Sequence, residues 1–205
     1  MLIGIVVGIA IVAGSVYASG FSRRLLSPFR IHSTHESSES AAATAPELAT
    51  GDWINSEPLK LENLRGRVVL IEFWTFGCYN CRNTLPFIKS WHDLYRDKGL
   101  TVIGVHSPEF DFEKKPENLR REVDSLGIHY PVVSDNDYKT WDAYNVGAWP
   151  TIFLLDKQGR IRWMHVGEGN NDEAERIIQK LLAEEQTQSE DKSQSISWSA
   201  RCLIG

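Results

Sequence analysis

Apolar positions along the chain change period several times, and each change marks an element. Residues 68–74, VVLIEFW, are β-branched and aromatic almost without interruption, the pattern of a strand buried on both faces. From Cys81 onward, Leu85, Ile88, Trp91 and Tyr95 recur at helical spacing as far as Lys98-Gly99, a basic last turn and a glycine stop. Residues 100–105, LTVIGV, predict a second strand. A helix over 116–126, a short extended stretch at 131–133 and a helix around 138–144 follow. Residues 151–155 and 161–166 flank the turn-forming Asp156-Lys157-Gln158-Gly159 and predict an antiparallel hairpin; an amphipathic helix at about 172–182 closes the pattern. Strands interleaved with helices and ending in a hairpin predict an α/β domain, a mixed central sheet covered by helices.

The flanks read differently. Residues 2–19 carry no charge and approach the ~20 apolar residues that span a bilayer, so residues 1–19 are expected to be a transmembrane anchor or signal segment. Val16-Tyr17-Ala18 resembles the small-residue pattern before a signal cleavage, but no Lys or Arg precedes the apolar run, which favours an uncleaved anchor. Arg23, Arg24 and Arg30 follow the span, and the positive-inside tendency alone would put the domain on the cytoplasmic side. Residues 20–47 read as a flexible tether, 48–183 as the folded domain and the polar, aperiodic 184–205 as a disordered tail.

Composition adds exclusions. A chain of 205 residues, 42% apolar and 24% charged, suits one domain with extra segments. The net charge of −5 comes from interspersed acids and bases with no basic block, which excludes nucleic acid as a partner. The three cysteines, at 78, 81 and 202, are too few for a disulfide framework. The 78/81 spacing suits a redox dithiol or half a zinc site, and no second Cys pair or His-x-x-x-His supplies the missing ligands, so no metal or cofactor is expected. The terminal Cys-Leu-Ile-Gly has a prenylation shape with an atypical last residue, and Cys202 reads as a tail thiol.

The chemistry concentrates where the first strand meets the first helix. At Cys78 the helix's unpaired N–H groups and positive dipole end face the sulfur, which suits a nucleophile. Cys81, one turn further, is within reach of a mixed disulfide formed on Cys78 and is the resolving thiol.

Ile71-Glu72-Phe73-Trp74-Thr75-Phe76-Gly77-Cys78-Tyr79-Asn80-Cys81-Arg82 resembles the active-site segment of the thioredoxin superfamily. Pro86 matches the proline inside that family's helix, and Trp149-Pro150-Thr151 resembles its cis-proline motif. The segment from Trp53 to Gly66, the insertion around 107–136 and the apolar start are similar to the membrane-tethered TlpA/ResA type, and TFGCYNC to the thioredoxin-like domain of DipZ-type proteins. The resemblance implies a thioredoxin-like fold and a thiol-disulfide oxidoreductase that acts on protein disulfides, fed by a membrane thiol-disulfide donor. It also implies a domain facing the periplasm or outer membrane surface of a bacterium. Within that frame Glu72 is the buried acid that accepts the Cys81 proton. Pro150 follows a cis peptide opposite the dithiol, Trp149 and Thr151 flank it, and Trp74 and Trp149 form an apolar rim for substrate. Gly77 departs from the family, which has tryptophan before the first cysteine, as does Tyr79-Asn80 in place of Gly-Pro; potential and direction of electron flow therefore do not carry over. The oligomeric state is not legible.

Two other chemistries fit some of the same residues. Thr75-x-x-Cys78 also fits a thiol peroxidase of peroxiredoxin type, although Ile71 stands where that motif has proline. The cysteine pair with His106, His129 or His165 would suit a copper-binding chaperone of the same fold.

Overall fold

The computed structural model describes residues 43–49 and 51–184. The expected anchor, most of the tether, the tail and Cys202 lie outside them. Among the described residues no helix is long and apolar enough to cross a membrane.

Six strands form one sheet in the order β1 (Trp53–Ile54), β4 (Val132–Ser134), β3 (Leu100–His106), β2 (Val68–Trp74), β5 (Thr151–Leu155) and β6 (Ile161–Val166). β2, β3 and β4 run parallel, while β1, β5 and β6 are antiparallel to their neighbours. The helices are α1 (Tyr79–Tyr95), α2 (Pro116–Ser125), α3 (Lys139–Ala143) and α4 (Asn171–Ala183), with short 3-10 turns at Leu61–Leu64, Arg96–Lys98 and Asp111–Lys114. The apolar periods located β2 to β6 and the four helices closely, whereas β1 and the 3-10 turns at Leu61–Leu64 and Asp111–Lys114 were not foreseen. Gly99, at φ 104°, ends the α1 region in the left-handed conformation that glycine adopts without penalty.

The pleat of β2 sorts the core. Val68, Leu70 and Trp74 point into one apolar cluster with Leu85, Ile88 and Trp91 of α1, Leu119 and Val123 of α2, and Ile178 and Leu181 of α4. Val69, Ile71 and Phe73 point into the opposite cluster with Tyr144, Phe153 and Leu48. Alternation therefore sends position 72 toward the helices as well. An acid there is buried at the centre of the sheet, between Gly104 of β3 and Ile152 of β5.

The folded domain starts before residue 48, a correction to the expected boundary. Thr44 bridges Arg160, Ala45 N–H donates to Gly159 at 3.0 Å, and the Glu47 carboxylate accepts from Leu61 N–H at 2.6 Å. An alanine-rich segment without period pairs here through its backbone, and periodicity does not register that kind of contact. At the other end Glu184 still belongs to the domain, through its ion pair with Arg162 at 3.0 Å.

At Gly104 the backbone of β3 lies close under the rings that cover it. A Cβ there would meet Trp74 Nε1 at 2.8 Å and Tyr130 Cε2 at 3.2 Å, both in fully buried rings. Overpacking of this kind costs about 1–3 kcal/mol. Gly104→Ala is expected to lower the unfolding free energy by that amount, read as a lower urea midpoint with an unchanged m value.

Candidate active site

Three chain segments meet at the dithiol: the end of β2, the start of α1 and the loop before β5. Cys78 is the N-cap of α1, with extended backbone, and its Sγ accepts the N–H of Cys81 at 3.2 Å. Its own N–H donates to Thr75 O at 3.2 Å. Both cysteines are free thiols; Cys78 is partly exposed and Cys81 fully buried. The access of one sulfur and the shelter of the other thus follow from one turn of helix. Pro86, inside α1, lacks the N–H that would continue the helical ladder.

Glu72 lies beneath this turn and is fully buried. Its Oε2 accepts from the Tyr130 hydroxyl at 3.1 Å, and Oε1 has no hydrogen-bond partner among the described residues. Burial pushes its carboxyl up to about 8, only partly offset by the Tyr130 bond. Burial also pushes the Cys81 thiol well above its ordinary range, helped by the contact with Cys78 and by the Glu72 charge. Tyr130 is raised by burial and by Glu72. The three groups form one buried, mutually coupled set in which a proton is costly to remove anywhere.

The Trp149–Pro150 peptide is cis, and Pro150 O accepts from Gly167 N–H at 2.8 Å. Trp149 is half-buried, its ring 4.5 Å from that of Trp141, and its buried Nε1 has no partner among the described residues. Thr151 is buried and its hydroxyl donates to Ala148 O at 2.7 Å, so this side chain is engaged within the protein.

Trp74 does not form part of a rim. It is fully buried and packs edge-on against His106, because the pleat that turns Glu72 inward turns position 74 inward too. The exposed aromatic rings here are others: Tyr79, between the cysteines, and the stacked pair Phe110 and Phe112 on the insertion.

Sequence reasoning missed Tyr130 and Glu113, and weighed His106 only as a copper ligand. His106 is buried, stacks on Phe76, and holds the Thr75 hydroxyl through Nε2 at 3.2 Å. Burial pushes its imidazole down to about 4, so it is neutral at ordinary pH. This pairing leaves the Thr75 hydroxyl engaged with His106 beneath the loop. Glu113 is buried and accepts the Gly77 N–H at 2.9 Å. None of these carried a local signal, since each acts across 31 to 58 residues of sequence. Among the described residues, no group of three or more His, Cys, Asp or Glu side chains is placed to hold a metal.

The model of the AhpC/TSA family matches residues 41–164. Among curated proteins, DipZ of Mycobacterium bovis is 43% identical over 147 residues, which is 69% of this chain but 21% of DipZ. The chain thus spans about a fifth of the length of that relative. The thiol-disulfide oxidoreductase ResA of Geobacillus kaustophilus is 27% identical over 150 residues, covering 72% of this chain and 82% of ResA. Among solved structures, a thiol-disulfide isomerase from Corynebacterium glutamicum superposes with a TM-score of 0.62 at 32% identity, over 69% of this chain and 98% of that one. The fold is therefore thioredoxin-like, as the motifs implied.

The raised Glu72 has a stability consequence with a definite sign. Its carboxyl titrates near 4.5 unfolded and at about 8 folded, so the fold binds the proton more tightly. Stability from this group is full below pH ~4.5 and is lost as pH rises through ~8. Relative to Glu72→Gln, the parent is expected to lose a few kcal/mol between pH 5 and 8, at about 1.4 kcal/mol per unit. Urea unfolding at several pH values measures it.

Proposed function

The chain belongs to the AhpC/TSA family, as a TlpA/ResA-like member of the thioredoxin superfamily, and from that premise we propose that it reduces protein disulfides through Cys78 and Cys81. The observation that carries this reading is the pairing of a partly exposed sulfur at a helix N-terminus with a buried second thiol three residues on, above a buried carboxyl. The Cys78 thiolate attacks one sulfur of the substrate disulfide. A mixed disulfide forms, and the first substrate sulfur leaves as a thiolate. Cys81 then gives up its proton and attacks Cys78 Sγ, which closes the Cys78–Cys81 disulfide and releases the second substrate thiolate. Two electrons pass to the substrate, and an external dithiol must return them.

Glu72 accepts the Cys81 proton. A carboxyl titrating near 8 is close to the working pH, where a general base combines a useful ionised fraction with driving force. Its unpartnered Oε1 is the free lone-pair site for that proton. In the reverse direction the protonated acid returns it.

Trp149 and Pro150 line the opposite wall, where an extended substrate segment pairs with the backbone while its disulfide meets Cys78. The uncharged residues 2–19 and the likeness to ResA support a domain held at a membrane outside the cytoplasm, supplied by a membrane thiol-disulfide donor.

Insulin reduction by the full chain with dithiothreitol tests the core of this reading. Cys78→Ser is expected to abolish it, and Cys81→Ser to accumulate a mixed disulfide seen by intact mass. Glu72→Gln is expected to slow turnover about a hundredfold at neutral pH and to flatten its rise through pH 8. Fast hydrogen peroxide consumption without insulin reduction would instead identify a thiol peroxidase.

A further inference from the structure

The peptide unit that leads into Cys78 is gripped at both ends by charged side chains. Its carbonyl, that of Phe76, accepts from Arg82 Nε at 2.9 Å. Its N–H, that of Gly77, donates to Glu113 Oε1 at 2.9 Å. Glu113 Oε2 meanwhile accepts the N–H groups of Glu109 and Phe110 at 2.6 and 2.8 Å. A single buried carboxylate thus ties the insertion to the nucleophile's turn with three backbone hydrogen bonds.

The grip also accounts for Gly77. A Cβ at this position would lie 2.4 Å from Glu113 Oε1, closer than real Cβ contacts come. A side chain here fits only if the Glu113 carboxylate moves aside and gives up its bond to the Gly77 N–H, so a glycine suits this grip where the superfamily commonly has tryptophan.

We propose that Glu113 and Arg82 are a pair of positioning residues that fix the Phe76–Gly77 peptide and set, with opposite signs, how readily Cys78 carries negative charge. Resting on the disulfide-reducing function proposed above, this assigns the tuning of that reaction to the insertion. Glu113 places a buried negative charge one residue ahead of the sulfur and opposes the thiolate. Arg82, one helical turn past Cys78, places a positive charge on the other side and favours it. The two are unequal: Arg82 is half exposed and also pairs with Glu122 at 3.5 Å, so solvent weakens it, whereas Glu113 is sheltered. Of the two opposed influences that of Glu113 is the larger, and since a less stable reduced form makes a stronger reductant, its carboxylate pushes the couple toward giving electrons and Arg82 pushes it back. The other titratable groups near this turn are Glu72, Cys81, His106, Glu109, Lys114, Glu122 and Tyr138, and neither substitution alters their identity.

Two neutral variants of the full chain, Glu113→Gln and Arg82→Gln, test the sign. Iodoacetamide alkylation of Cys78, resolved by peptide mass, is followed against pH, and the Cys78–Cys81 potential is titrated against glutathione. Glu113→Gln is expected to move the alkylation midpoint about one unit lower. The same variant is expected to move the redox equilibrium about tenfold toward the dithiol, about 30 mV more oxidising. Arg82→Gln is expected to move both the opposite way by a smaller amount, about threefold. Displacements of the same sign, or a loss of thermal stability with neither quantity moved, would overturn the proposal in favour of a purely structural latch. Should Glu113→Gln not fold, Arg82→Gln still decides: a midpoint that stays put or falls overturns the pairing. Opposite displacements in a protein that leaves insulin intact would uphold the clamp and reject the disulfide-reducing reading alone.

Discussion

A carboxyl held at the centre of a β-sheet, with one tyrosine hydroxyl for company, is the condition around which this active site is organised. The pleat of β2 puts Glu72 on the helix-facing side, and the parallel and antiparallel neighbours β3 and β5 close off both edges. Desolvation then raises its proton affinity, and the same enclosure raises that of Cys81 above it. Tyr130, just ahead of β4, supplies the single hydrogen bond that makes the burial tolerable. Gly104 keeps room for both Tyr130 and Trp74 by having no side chain. Sheet register, helix start and acid strength are thus consequences of one strand's alternation.

How far this was legible in the sequence depends on the range of each signal. The β2 run, the helical spacing from Leu85 to Tyr95 and the turn at 156–159 are local patterns, and the structure places those elements within a residue or two of where they were expected. Trp74 was assigned to the wrong side of the wall because its motif neighbours suggested function, while the parity of its position in β2 already pointed inward. Residues 43–47 were read as tether because backbone pairing with an edge leaves no apolar period. Glu113 was invisible for a different reason. Its role is defined by a contact with Gly77, 36 residues away, inside a segment that sequence could describe only as an insertion.

The insertion is more than an addition to a common core. Its 3-10 turn at Asp111–Lys114 is braced by the same carboxylate that reaches the nucleophile's turn, and it carries Phe110 and Phe112 outward as a stacked, exposed pair. Phe112 also lies 5.8 Å from Phe76, which stacks on His106. A continuous aromatic and hydrogen-bonded layer therefore runs from the surface of the insertion to the floor of the dithiol loop. The superfamily's usual means of shaping that surface, a bulky residue just before the first cysteine, is replaced by side chains brought from elsewhere in the chain.

The enclosed trio of Cys81, Glu72 and Tyr130 also bears on where protons come from. Each electron pair that enters or leaves the dithiol must be matched by charge compensation, and here the nearest acid and base are inside the fold, not in the solvent. In the reaction proposed above, the fold itself then stores the proton that distinguishes the dithiol's two oxidation states.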